Sequence, residues 1–168
     1  MIIDYQDDAR MCSCGQTGHL EAYASATAVI NRTREGLAVG RQSSLARRLS
    51  SGENLTPLVV AEEASGGDDF ALEIVLDTAR YLGIGIVNVM HTLDPNGVVL
   101  GGAMDFGGRD SPLGKRFLDR IREEIHRRAF PVPAARVSVD FASLGSDAGY
   151  IGAAGLARCD FRKCEGDH

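Results

Sequence analysis

The chain has no tryptophan, and aromatic residues fill only 6% of its 168 positions. Without stacking platforms it is poorly equipped to hold single-stranded nucleic acid. It has no basic block either, since 18 Lys and Arg stand against 23 Asp and Glu, a net charge of −5 at pH 7. A phosphate backbone is held by clustered cations, so this balance also argues against non-specific nucleic-acid binding. No run approaches the roughly 20 apolar residues of a membrane helix. Met1-Ile2-Ile3-Asp4-Tyr5-Gln6-Asp7-Asp8 lacks the basic-then-apolar start of a secretory signal. Four cysteines, at 12, 14, 159 and 164, do not make a disulfide framework in a chain of this size. The expectation is one cytoplasmic domain with a single core.

Glycine is in excess, at 20 residues, and implies close backbone approach or positive φ angles. Helical spacing of Tyr23, Ala26, Val29, Ile30, Thr33 and Leu37 predicts one helix over 21–37. A short helix over 44–49 follows, and Thr56-Pro57 starts another that Gly66-Gly67 closes. The longest element spans 70–93 and is apolar nearly all round in its second half, which predicts burial on most sides. Gly83 and Gly85 inside it cost about 1 kcal/mol each in helix propensity, so a neighbour is expected against the backbone there.

Asp94-Pro95-Asn96 breaks that helix, and residues 97–100 read as a short buried strand ended by Gly101-Gly102. Leu113, Phe117, Ile121 and Ile125 form the stripe of an amphipathic helix. Its outer face, Arg116, Arg120, Arg127 and Arg128 interleaved with Asp119, Glu123 and Glu124, reads as solvated. Residues 136–140 alternate like a strand, and Ser146-Asp147 caps a last helix over 148–158, where Gly149 and Gly152 read as packing glycines. His91 and His126 read as ordinary surface or packing residues on helices, and His168 as terminal. Helices first, then strand–helix–strand–helix, is an α/β order.

The chemistry concentrates in Cys12-Ser13-Cys14-Gly15-Gln16-Thr17-Gly18-His19. Two thiols and an imidazole within eight positions, punctuated by two glycines, suit a tetrahedral zinc ion. The alternative is two unrelated cysteines and a surface histidine. A closed structural site needs a fourth ligand. Cys159 and Cys164 are candidates, but they lie in a charged tail that reads as frayed.

Continued through Leu20-Glu21-Ala22-Tyr23-Ala24-Ser25, this segment resembles the Cys-x-Cys-Gly-x-x-Gly-Cys-x-Glu signature of the ROK family of repressors, open reading frames and sugar kinases. The resemblance continues through Tyr81-Leu82-Gly83-Ile84-Gly85, Leu93-Asp94-Pro95, Val98-Val99-Leu100-Gly101-Gly102 and Leu144-Gly145-Ser146-Asp147-Ala148-Gly149. It implies an actin-like ATPase fold of ribonuclease H type. It implies zinc ligands at Cys12, Cys14 and His19, with His19 standing where the family has a third cysteine. Glu21 then corresponds to the glutamate that accepts hydrogen bonds from sugar hydroxyls, and Gly101 and Gly102 to the adenosine-side turn. The implied partners are a hexose and ATP with magnesium, in a homodimer.

The family's Asp-Gly-Gly-Thr-type phosphate loop, its general-base aspartate and the Glu-x-Gly-His segment ahead of the cysteine loop do not occur in this sequence. The expectation is therefore a C-terminal lobe alone, with an N-terminal zinc loop over 1–20. Three readings follow: the lobe of a glucokinase-like kinase, the sugar-sensing lobe of a repressor, or a non-catalytic fragment.

Overall fold

The computed structural model describes residues 1–102 and 105–165, with backbone alone at 146, 160 and 162–165. After the N-terminal loop come α1 (Glu21–Ala24) and α2 (Ala26–Ala38), where one continuous helix was expected. Ser25 is extended at φ −102° and ψ 169°, and its hydroxyl accepts the Ala28 N–H at 3.1 Å. It acts as an N-cap that restarts the helix in a new phase. Ala28, Val29, Arg32 and Thr33 consequently face the core, while Ala26 is exposed.

Two short helices follow, α3 (Leu45–Ser50) and α4 (Pro57–Ser65), the second capped by the Thr56 hydroxyl on the Val59 N–H. The longest helix, α5 (Asp69–Leu93), is capped by Asp68. That carboxylate also accepts from both hydroxyls of Ser43 and Ser44, which ties the start of α3 to the start of α5. Helix α5 ends at Asp94, which is left-handed at φ 47° just ahead of Pro95.

The remaining elements are β1 (Gly97–Leu100), α6 (Pro112–Arg128), α7 (Pro131–Arg136), β2 (Ser138–Phe141) and α8 (Ala148–Glu165). Strands β1 and β2 pair in parallel, Gly97 opposite Ser138 through Leu100 opposite Phe141, with α6 in the crossover. Several expectations are corrected here. β1 is not a buried strand, because Val98 and Leu100 are only half covered and Val99 is 70% exposed. Only one face of the two-stranded sheet packs against the core. Arg136 closes α7, whose prolines at 131 and 133 fit a first turn, so the strand starts at Ser138. The last helix runs past residue 158, and no Gly or Pro falls between 156 and 165 to stop it. Gly149 and Gly152 face open space and pack against nothing among the described residues.

The core lies between α5 and α6, where Ile74, Val75, Ala79, Ile86 and Met90 bury themselves with Phe117, Ile121 and Ile125. Burying each such side chain contributes roughly 1.5–3 kcal/mol. Gly83 is where the two helices meet, since a Cβ there would stand 2.7 Å from the Cβ of Glu124 and 3.1 Å from the Ile121 carbonyl. At Gly85 a Cβ would stand 2.7 Å from Leu20 Cδ2, so the glycine makes room for that side chain. The two glycines let α5 touch α6 on one side and the base of the N-terminal loop on the other. Glu124 departs from the expected solvated face. It is fully buried, and its two oxygens accept from Arg120 and Arg128. No helix among the described residues is long and apolar enough to cross a membrane.

Candidate functional site

The loop ahead of α1 is folded by its own backbone. Cys12 N–H donates to the Gln16 carbonyl at 2.8 Å, and Gly15 N–H to the Cys12 carbonyl at 3.0 Å, with Gly15 at φ +84°. Gly18 is at φ +77°, and the Asp4 carbonyl occupies the space a Cβ would need, so only glycine fits. This turn brings Cys12 Sγ, Cys14 Sγ and a ring nitrogen of His19 within 4.8 Å of one another. Cys14 Sγ lies 3.2 Å from His19 Nδ1. Ligand atoms around a tetrahedral zinc, with Zn–S of about 2.3 Å and Zn–N of about 2.0 Å, stand about 3.5–3.8 Å apart. The three groups fit such an ion with shifts of a fraction of an ångström to an ångström. The Cys14 N–H hydrogen-bonds Cys12 Sγ and, against the effect of burial, holds that thiol below its ordinary pKa. The thiolate is the form that binds metal.

Glu21 opens α1 two residues beyond His19. Its Oε1 accepts from the Ser13 hydroxyl at 3.5 Å, and its Oε2 lies 3.8 Å from Cys12 Sγ. Helix α1 is a single turn, too short to build much of a macrodipole, so a favourable helix-start charge does not account for this carboxylate. It lines a cavity of about 430 Å³ walled by Arg10 and Ser13 of the loop and by Thr27, Asn31 and Glu35 of α2. Arg10 and Glu35 form a two-pronged ion pair across it, and the guanidinium holds the Glu35 carboxyl below the usual carboxylate range. Hydroxyls, an amide and carboxylates together suit a ligand rich in hydroxyl groups.

Gly101 and Gly102 leave the carboxyl end of β1, and Gly102 takes φ +99°. Gly101 sits against Ala142, which lines a cavity of about 420 Å³ together with Asp105, Arg109, Asp110 and Phe141. Ligands of open α/β sheets bind outside the carboxyl ends of parallel strands, and this cavity lies there. The two cavities share no lining residue; Glu21 lines the first, while Gly101 and Gly102 line neither.

A sequence model of the ROK family matches residues 2–159. The chain belongs to the ROK family. A glucokinase of Halalkalibacterium halodurans is 35% identical over 147 residues, 88% of this chain and 43% of that protein. A xylose repressor of Caldicellulosiruptor bescii is 28% identical over 94% of this chain and 37% of the repressor. A ROK family glucokinase from Streptomyces griseus, solved with glucose and AMPPNP, superposes with a TM-score of 0.73 at 27% identity, covering 94% of this chain and 50% of that one. The ROK chain thus spans less than half the length of the curated relatives it matches.

Around the ROK loop, the sequence reading missed the residues that brace it. Arg32 is buried, and burial pulls its pKa down. It donates to the Tyr23 carbonyl at 3.0 Å, to Thr78 Oγ1 at 3.1 Å and to the Ile74 carbonyl at 3.3 Å, tying the end of α1 to α5. A charged residue in register with Ala28 and Val29 was the available signal. His91 stacks on Phe130 at 4.4 Å, and His126 bonds the Arg122 carbonyl within α6; both are exposed. Cys159 is exposed on α8 and takes no part in the three-ligand group, while the Cys164 side chain and His168 lie outside the described residues.

Proposed function

We propose that this chain is the C-terminal, sugar- and nucleotide-binding lobe of an ATP-dependent hexose kinase of glucokinase type. The observation that carries this reading is Glu21, which projects from a one-turn helix beside a Cys–Cys–His group into a hydroxyl-suited cavity. Glu21 accepts hydrogen bonds from two neighbouring sugar hydroxyls, as one carboxylate can. Cys12, Cys14 and His19 hold a structural zinc, with the fourth position completed by a group outside these three. The ion supplies a cross-link that stiffens the loop, and the loop in turn fixes the start of α1 and the carboxylate on it. Gly101 and Gly102 give a nucleotide close access to the backbone beside the second cavity. Phosphoryl transfer needs a base, a magnesium–phosphate site and the sugar pocket in one place. Residues 1–168 carry only part of that set.

The match to xylose repressors favours a second reading, a sugar-sensing lobe. Nucleotide binding separates the two. Residues 1–168 are expected to bind AMPPNP in equilibrium titration, with Gly102→Ala weakening it at least fivefold because alanine is strained at φ +99°. They are expected to release no ADP with glucose, ATP and magnesium. Sugar binding without any nucleotide binding would favour the repressor lobe and refute the kinase reading.

A further inference from the structure

Tyr23 lies outside the three-ligand group, yet its hydroxyl closes a ring of hydrogen bonds around the base of the loop. Asp4 N–H donates to the Gly18 carbonyl at 3.3 Å, and Gly18 N–H donates to the Arg10 carbonyl at 3.0 Å. Arg10 N–H donates to Tyr23 Oη at 2.8 Å, and that hydroxyl donates in turn to Asp4 Oδ2 at 2.6 Å. Gly18 immediately precedes His19, and Arg10 stands two residues before Cys12, so the ring spans both limbs of the loop. The phenol is a firm anchor. Its residue is only 4% exposed, its ring leans on Tyr81 of α5 at 4.9 Å between centroids, and its carbonyl is gripped by Arg32. The Tyr23 hydrogen bond also holds the Asp4 carboxyl below its ordinary pKa, consistent with a charged acceptor.

We propose that the Tyr23 hydroxyl is a positioning group for the three-ligand loop. It sets the spacing of the Cys12 and His19 limbs before a metal arrives. This rests on the reading of Cys12, Cys14 and His19 as metal ligands. Outer partners that orient metal ligands are worth roughly 10–100-fold in affinity when removed. Phenylalanine at 23 keeps the ring packing on Tyr81 and deletes only the two links, leaving the Arg10 N–H and the Asp4 carboxylate without this partner.

The test is a competition titration of reduced residues 1–168 with zinc against a chromophoric chelator, repeated with cobalt(II) to read the ligand set from its thiolate spectrum. Tyr23→Phe should bind zinc at least tenfold more weakly. At saturation it should show the same cobalt spectrum, and the unfolding midpoint of the metal-free chain should hold, which a merely structural role does not predict. Asp4→Ala should match it, Asp4→Asn should restore affinity to within threefold of the natural chain, and the Tyr23→Phe/Asp4→Ala pair should be no weaker than either single change. Zinc affinity within threefold of the natural chain in both Tyr23→Phe and Asp4→Ala, or additive losses in the pair, overturns the proposal alone. A natural chain that takes up no zinc overturns the metal reading and this proposal together.

Discussion

Glu21 shows how a residue's role depends on what holds it. A glutamate at a helix start is ordinarily stabilised by unpaired N–H groups, at about 0.3–1 kcal/mol. Here the helix is one turn long, and the nearest polar neighbours of the carboxylate are Ser13 and Cys12 of the loop. The charge is therefore available to a ligand. Glu21→Gln keeps the shape and removes the charge that strengthens hydroxyl hydrogen bonds, worth roughly 1.5–3 kcal/mol per bond. Glucose affinity, followed by amide chemical-shift titration, should fall at least tenfold with AMPPNP affinity unchanged. Equal glucose affinity in the two chains would remove Glu21 from the sugar site. The clustering of Cys12, Cys14 and His19 was legible because cysteine, histidine and glycine carry their chemistry in their identity. Tyr23 and Asp4 were not, since their contacts join positions 19 residues apart and only folding reveals them.

At the scale of elements, periodicity located the helices and misjudged what lay between their faces. The stripe of α6 was read correctly from Leu113, Phe117, Ile121 and Ile125, but Glu124 was assigned to water. It is buried because Gly83 lets α5 come close enough to cover it. Burial alone would raise its pKa, but Arg128 and Arg120 outweigh that and hold it below the ordinary value. A carboxyl depressed in the folded state contributes stability fully above its unfolded pKa, about 4.3, and loses it as pH falls through the folded value. Glu124→Gln should therefore cost about 2 kcal/mol at pH 7, less than a fully buried pair because both arginine side chains reach water. Urea unfolding at pH 7 and pH 3.5 checks this, with the difference between the two chains narrowing at the lower pH. A constant difference would mean that the charge is not what stabilises the contact. The break at Ser25 was missed for a related reason: a serine among alanines leaves the apolar spacing intact while its hydroxyl resets the helix phase.

At the scale of the whole molecule, the α/β order and the ROK membership were readable from motif order, and the coverage of the core was not. One face of the sheet stands uncovered, and among the described residues Val99 of β1 and Tyr150, Ile151, Leu156 and Phe161 of α8 are exposed. Parallel sheets are ordinarily covered on both faces, and the relatives this chain matches are about twice as long. On the proposed reading, Cys12, Cys14 and His19 would hold an ion that fixes the loop and, through it, the Glu21 carboxylate. The direct test is a glucose titration of residues 1–168, carried out zinc-bound and again after chelation, reading the backbone amides of Ser13, Glu21 and Ala22. Those amides should shift with glucose in the zinc-bound chain, and chelation should weaken the binding at least fivefold. Shifts confined to other residues, or the same affinity with and without zinc, would contradict a sugar site built on the metal loop.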